Sequence, residues 1–111
     1  MIMAITVNVY YSGKDGNALK FANEMTSSGL VKAIREEEGN LRYDYFLPID
    51  GGETVLLIDS WKNQDALDLH HSLPLMGRIA ALREKYDLHM RVERYVLDDG
   101  EPEKDRKFIR E

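Results

Sequence analysis

The sequence predicts an α+β fold in which an antiparallel sheet carries helices on one side. Two observations support this class. Apolar residues recur with the period of a strand in four segments, and segments with helical spacing separate the first strand from the second and the third from the fourth. The order strand, helix, strand, strand, helix, strand is the split βαβ arrangement of ferredoxin-like folds. We expect one domain over residues 1–97 and a charged tail over residues 98–111.

The first half of the chain predicts a strand, an interrupted helix and a second strand. The odd positions of the first eleven residues are all apolar, as in a strand with one buried face. Asp15 or Asn17 is expected to cap the helix that follows. The segment TSSG at residues 26–29 is a poor helix interior, so we expect a kink or a break there. Gly39 ends this helix, and the segment LRYDYFLP then predicts the second strand.

The second half begins with a hairpin and then repeats the order of helix and strand. IDGGE has the composition of a turn, and TVLLIDSW follows it as a strand. Asn63 is expected to cap a short helix from Gln64 to His71, and Pro74 to occupy the first position of a second helical piece. The segment DLHMRVERYVL predicts the last strand.

The strand that contains Val55, Leu56, Leu57 and Ile58 is apolar on both of its faces. A sheet with helices on one side needs only one apolar face per strand. A second copy of the sheet is the simplest cover for the other face, so we expect a homodimer in which two sheets pack face to face.

Composition narrows the possible functions. The 111 residues carry a formal charge of −5, with 15 basic residues scattered among 20 acidic ones, which argues against nucleic acid as a partner. The absence of cysteine excludes disulfides, thiolate nucleophiles and thiolate metal ligands. We find no phosphate loop, nucleotide fingerprint or metal-binding cluster, and therefore expect neither a metal nor a nucleotide cofactor. With no signal-peptide pattern and no spanning apolar segment, we expect a cytoplasmic protein without membrane contact.

Histidine is the first candidate for acid–base chemistry near neutral pH, and the chain has three. His70 and His71 are neighbours on one helix, about 100° apart around its axis, so at most one is expected to face inward. The buried stripe that contains Ala66 and Leu67 favours His70. The alternative is that both histidines simply lie against the negative end of the helix dipole. His89 is expected to be exposed on a strand.

Other candidates are aromatic or polar residues in unusual positions. Trp61 at a strand end is either a core residue or a flat wall for an aromatic ligand. Asn8 needs a hydrogen-bond partner within an otherwise apolar strand, and that partner is protein, water or ligand. Tyr43, Tyr45 and Phe21 either line an aromatic cavity or fill the core.

Three segments, GNLRYDYF, VLLIDSW and ALDLHHSLPLM, occur in an order and at a spacing that resemble the antibiotic biosynthesis monooxygenase domain. The resemblance extends through Tyr95. It implies a dimeric α/β barrel of ferredoxin-like protomers, each with a pocket between sheet and helices. It also implies oxygenation of quinols or polyketide aromatics without metal or flavin. His70 and Trp61 match residues of the family, whereas Leu75 stands where many members carry a second histidine.

Haem-degrading members of the same superfamily carry an asparagine on the first strand, as Asn8 does here. They also have a haem-ligating histidine on a later helix. The corresponding segment of this chain, GRIAALREK, contains no histidine, so haem cleavage is not expected.

The resemblance and the candidate residues together predict an oxygenase that needs no cofactor and acts on a small electron-rich aromatic and dioxygen. His70 would accept a phenolic proton, Asn8 would hydrogen-bond an oxygen atom, and Trp61 would stack on the ring. Tyr45 would complete that sandwich. The further residues expected to bind substrate are Tyr43, His71 and Phe21. Two alternatives stay open, an isomerase or signal-processing enzyme that shuttles protons through the same histidine, and a small-molecule-binding module without catalysis.

Overall fold

The computed structural model describes residues 4–98 and 100–111 of the chain. Four strands form one antiparallel sheet in the order β2-β3-β1-β4. They are β1 (Ile5–Ser12), β2 (Asn40–Phe46), β3 (Val55–Trp61) and β4 (His89–Val96). This arrangement confirms the predicted α+β ferredoxin-like fold. The part of the first strand that was predicted over residues 1–3 lies outside the described residues.

Each predicted helix consists of two pieces, as its sequence indicated. The first gives α1 (Asn17–Ser27) and α2 (Leu30–Arg35), which are separated at the predicted glycine. The second gives α3 (Gln64–His71) and α4 (Leu75–Lys85). A short exposed helix in the tail, α5 (Glu103–Arg106), was not predicted. No helix in the described part of the chain is long and apolar enough to span a bilayer.

The helix caps agree with prediction in one case and differ in two. Asn63 caps α3, because its Oδ1 accepts a hydrogen bond from the backbone N–H of Ala66 at 2.9 Å. The predicted cap of α1 is wrong, since Gly16 in left-handed conformation precedes the helix. The side chain of Asn17 donates instead to the carbonyl of Tyr86, at 3.1 Å. Pro74 precedes α4 as its cap residue, one position before the predicted place.

The helices cover one face of the sheet. The odd positions of β1 share that face with the odd positions of β3, and both sets contribute to the core. The largest side chains with almost no exposure there are Tyr11, Phe21, Met25, Leu30, Ile34, Leu57, Trp61 and Ile79. We call the other side of the sheet the open face. It carries the even positions of both central strands, Thr6, Asn8 and Tyr10 opposite Ser60, Ile58 and Leu56.

Gly39 holds the turn between α2 and β2 against the start of α3. Its φ is +85°, and a Cβ added there would lie 2.6 Å from the Cβ of Ala66. Gly29 has the same φ of +85°, but a Cβ there would meet no atom within 4 Å. The two glycines therefore share the backbone requirement, and only Gly39 adds a steric one.

We expect Gly39→Ala to destabilise the protein by about 2 to 4 kcal/mol, because strain in the left-handed region adds to the clash. Gly29→Ala should lower the free energy of unfolding by only about 1 to 2 kcal/mol, from the backbone term alone. Urea denaturation followed by circular dichroism measures both values. Equal losses in the two variants would show that the contact with Ala66 relaxes at no cost.

Candidate active site

A cavity of about 330 Å³ lies between the sheet and the helices α3 and α4. Apolar side chains from β1, β3, β4, α3 and α4 form most of its wall. The polar side chains that reach it are Tyr43, Asp59, His70, His71, Arg83 and Arg94. An apolar enclosure with a few convergent polar groups is the usual form of a small-molecule site.

His70 lies at this cavity and is only 3% exposed. Its imidazole stacks on the indole of Trp61 with ring centroids 4.6 Å apart and an interplanar angle of 29°. Its Nδ1 lies 2.8 Å from Oε2 and 3.1 Å from Oε1 of Glu37. A carboxylate can only accept, so Nδ1 carries the hydrogen and donates to Glu37. In the neutral imidazole Nε2 is then the unprotonated nitrogen, and it forms no hydrogen bond with any described residue.

Trp61 is completely buried, and its indole Nε1 donates to Oδ1 of Asp59 at 2.6 Å. The indole therefore backs the imidazole of His70 and does not face the cavity. The predicted sandwich of a substrate ring between Trp61 and Tyr45 is wrong. Tyr45 lies beyond Tyr43, with the two ring centroids 5.8 Å apart, and borders a different groove.

The other predicted aromatic residues divide between cavity and core. Tyr43 lines the cavity and is 3% exposed. Burial raises the pKa of its phenol well above the ordinary value, so the group stays neutral. Phe21 is fully buried in the core, where its ring packs 4.9 Å from that of Tyr11, and it does not contact the cavity. Its predicted role in substrate binding is therefore wrong.

Asn8 does not belong to this cavity. Its neighbours Val7 and Val9 line the cavity, and alternation along β1 places Asn8 on the open face, opposite Ile58 and Glu93. Its Oδ1 is buried and has no hydrogen-bond partner among the described residues. The prediction that Asn8 and His70 hold the same substrate is wrong within one protomer.

His71 is exposed at the end of α3, yet its ring also borders the cavity, 5.6 Å from the ring of His70. The prediction that at most one of the two faces inward is correct for burial, since only His70 is buried, but both rings border the cavity. Partial burial, together with the nearby His70, lowers the pKa of His71. The second ring is therefore mostly neutral near pH 7.

Sequence reasoning missed four polar residues of the site, Glu37, Asp59, Arg83 and Arg94. Asp59 interrupts the apolar positions Val55 and Leu57 on the inward face of β3, which is a detectable signal. Burial raises its pKa to about 6, although the indole N–H of Trp61 and nearby positive charge act in the opposite direction. Arg83 follows the buried Ile79 of α4 by four residues, which also places it inward. Glu37 gave no signal, since it lies in the acidic stretch before Gly39.

We expect Glu37→Gln to lower the kcat of a reaction in which His70 accepts a proton by about tenfold or more, with a smaller change in the KM for the substrate. Glutamine keeps a hydrogen-bond acceptor for Nδ1 but removes the negative charge that stabilises the imidazolium. Steady-state kinetics of the purified variant measure both constants. Exposed Glu38→Gln is the matched control, and an effect of similar size there would contradict a specific role for Glu37.

Residues 4–82 match the family model described as antibiotic biosynthesis monooxygenase. The chain belongs to this family. The protein named "Putative monooxygenase YcnE" from Bacillus subtilis (strain 168) is 28% identical over 96 residues, which cover 86% of this chain and 99% of that protein. The match confirms the resemblance that the three sequence segments indicated.

Solved structures support the family's fold for this chain. Protein PA3566 from Pseudomonas aeruginosa superposes with a TM-score of 0.74 at 21% identity, covering 88% of this chain and 97% of that one. A protein from Deinococcus radiodurans gives the same TM-score at 16% identity, over 88% and 96% of the two chains. Within residues 4–98 and 100–111 of this family member, no three His, Asp or Glu side chains converge as metal ligands.

Proposed function

We propose that this member of the family is a monooxygenase acting on a small electron-rich aromatic with phenolic hydroxyls, such as a hydroquinone, without metal or flavin. The single observation that carries the proposal is the paired arrangement of Glu37 and His70 at the cavity. The carboxylate holds Nδ1 of the imidazole at 2.8 Å, which leaves Nε2 as a proton acceptor for a bound molecule.

The reaction requires little more from the protein than this base. Transfer of a phenolic proton to His70 produces a phenolate, and Glu37 stabilises the imidazolium that forms. A phenolate donates an electron to dioxygen more readily than a phenol does. Overall, the substrate gains one oxygen atom and loses two hydrogens, and the second oxygen atom leaves as water. All four electrons come from the substrate, so no external reductant is needed.

The size and lining of the cavity suit one aromatic ring. A volume of about 330 Å³ lies at the lower end of the range for small-molecule sites. Val7, Val9, Leu57 and Ile79 present apolar surface, on which a ring is desolvated favourably.

Oxygen uptake with a panel of hydroquinones tests the proposal. Product should form in air, should not form in anaerobic buffer, and should still form after the protein is treated with a chelator. Activity that requires added flavin or iron would contradict the proposal, and so would saturable binding without turnover across the panel, which favours a binding module.

An isomerase acting on a small carbonyl compound is the second candidate. The observation in its favour is that Asp59 and His70 both reach the cavity, so that one could donate a proton while the other accepts one. Oxygen consumption separates the two functions, because an isomerase converts its substrate equally well in air and in anaerobic buffer.

We also propose that the chain forms a homodimer through the open face. Leu56 and Ile58 lie on a central strand of this face. Phe46 pairs with Leu56 and is 41% exposed, and Tyr95 on the edge strand β4 is 49% exposed. Apolar side chains on a sheet face that no helix covers mark a surface that can pack against another protein. Its position at the centre of the sheet suits a second copy of the same sheet.

Sedimentation of the wild type and of Ile58→Glu tests the dimer. The wild type should sediment as a dimer and the variant as a folded monomer, because the carboxylate cannot be buried between the sheets. Leu19→Glu introduces the same group at a site on α1 that is already 40% exposed, and should leave the dimer intact. A wild type that stays monomeric at high concentration would exclude the proposed interface.

A further inference from the structure

The cavity contains more positive than negative charge. Arg83 from α4 and Arg94 from β4 both line it, whereas Asp59 is the one acidic residue among its described lining residues. Within the described ranges, no ion pair closer than 4 Å involves any of these three side chains. Arg94 instead donates to the neutral side chain of Gln64. The site therefore presents guanidinium groups without a direct counter-ion.

The guanidinium of Arg83 is held in place by a neutral group. Its Nη2 donates to the hydroxyl of Tyr11 at 2.9 Å, and its central carbon lies 5.6 Å from the centroid of that ring. Its Nε is buried and has no partner among the residues described. A cation that is partly removed from water without an opposite charge carries an electrostatic cost, which a bound anion can offset.

The charge of Arg83 also affects the pKa of a group on each of two sides of the cavity. Its charge contributes to a lower pKa at His71 and partly offsets the raised pKa of Asp59. The guanidinium therefore lies within electrostatic range of α3 and of β3. A ligand that fills the space between these elements is within the field of Arg83.

We propose that the substrate is an aromatic acid, whose carboxylate binds Arg83 while a phenolic hydroxyl of the same ring lies at His70. This inference rests on the proposed function and specifies its substrate class. A guanidinium forms charge-assisted hydrogen bonds with a carboxylate, and these are roughly twice as strong as neutral ones. A dianionic phosphate fits less well, because Asp59 shares the cavity and would repel the second charge.

Three ligands test the inference: 2,5-dihydroxybenzoate, the neutral 2,5-dihydroxybenzamide of nearly the same shape, and hydroquinone, which lacks the third substituent. Trp61 is the only tryptophan and stacks on His70, so its fluorescence reports binding at the cavity. We expect the acid to bind at least about tenfold more tightly than either neutral compound at pH 7.5. Equal dissociation constants for the three, or failure of all three to bind, would overturn the inference.

Substitution identifies the group that selects the acid. Arg83→Gln should abolish the preference for the carboxylate, so that the acid and the amide bind with similar affinity, whereas Arg83→Lys should retain part of the preference. Arg78→Gln on the exposed side of the same helix removes an equal charge and should have no effect. A preference that persists in Arg83→Gln would overturn the assignment to Arg83, and circular dichroism confirms that each variant is folded.

The binding assay and the oxygen assay test the two proposals separately. If the acid binds through Arg83 but no oxygen is consumed, aromatic acids are ligands of the cavity and the oxygenase proposal is wrong. If hydroquinone is oxygenated but the acid is neither bound more tightly nor turned over faster, the oxygenase stands and this inference is wrong.

Discussion

Replacing His70 with alanine is expected to lower the rate of oxygen uptake by about 100-fold or more, because general base catalysis typically contributes a factor of that size. Among the described residues that line the cavity, His70 is the imidazole that a carboxylate holds through Nδ1. His70→Gln is the more conservative variant. It fills more of the space against Trp61 and can still donate to Glu37, but its amide cannot accept and carry a proton.

Two further histidine variants make this result specific. His71→Ala should reduce the rate far less, because the second ring borders the cavity without a buried carboxylate partner. His89→Ala, on an exposed position of β4, should not change it. Comparable rates for the wild type and all three alanine variants would eliminate the histidine mechanism. Thermal unfolding of His70→Ala shows whether a lost rate reflects lost chemistry or lost structure.

Asp59→Asn is expected to make the protein more stable than the wild type near neutral pH. Burial raises the pKa of Asp59 from 3.8 to about 6 in the folded state. The folded protein therefore binds more protons than the unfolded chain between these two values, and the wild type loses stability as pH rises through that window. By pH 7 the loss at this residue reaches about 3 kcal/mol.

Asparagine keeps an oxygen that can accept from the indole N–H of Trp61 but cannot ionise. The difference in free energy of unfolding, variant minus wild type, should therefore grow by roughly 2 to 3 kcal/mol from pH 4 to pH 7. Urea denaturation at several pH values measures it. Asp50→Asn, in the exposed loop before β3, is the matched control for the loss of a carboxylate. If the free energies of unfolding of Asp59→Asn and the wild type changed in parallel with pH, the pKa of Asp59 would not be raised in the folded state.

Much of the site was predictable where a local pattern carried the information. The helical stripe through Ala66 and Leu67 places His70 inward, and the structure confirms it with an exposure of 3%. The cap at Asn63 likewise needed only the residue type and its place before the helix. In the same way, a polar residue on the inward face of β3 could have drawn attention to Asp59.

The predictions that are wrong concern residues whose role depends on which face of the sheet the helices cover. Asn8 was correctly recognised as a polar residue in an apolar strand, but only the register of β1 shows that it lies away from the cavity. The sequence leaves Trp61 open between core residue and ligand wall, and its complete burial decides for the core. Aromatic residues fill either kind of space, so composition alone could not separate Phe21 and Tyr45 from Tyr43.

The amino-acid sequence by itself determined the order of strands and helices, the break in each helix and the inward orientation of His70. These features follow from periodicity and from residues that cap or interrupt helices, which act over a few positions along the chain. Only the tertiary structure brought Glu37 to His70 across 33 positions and placed Arg83 against Tyr11 across 72. Such contacts arise from the packing of distant elements, and no local pattern encodes which side chains will meet.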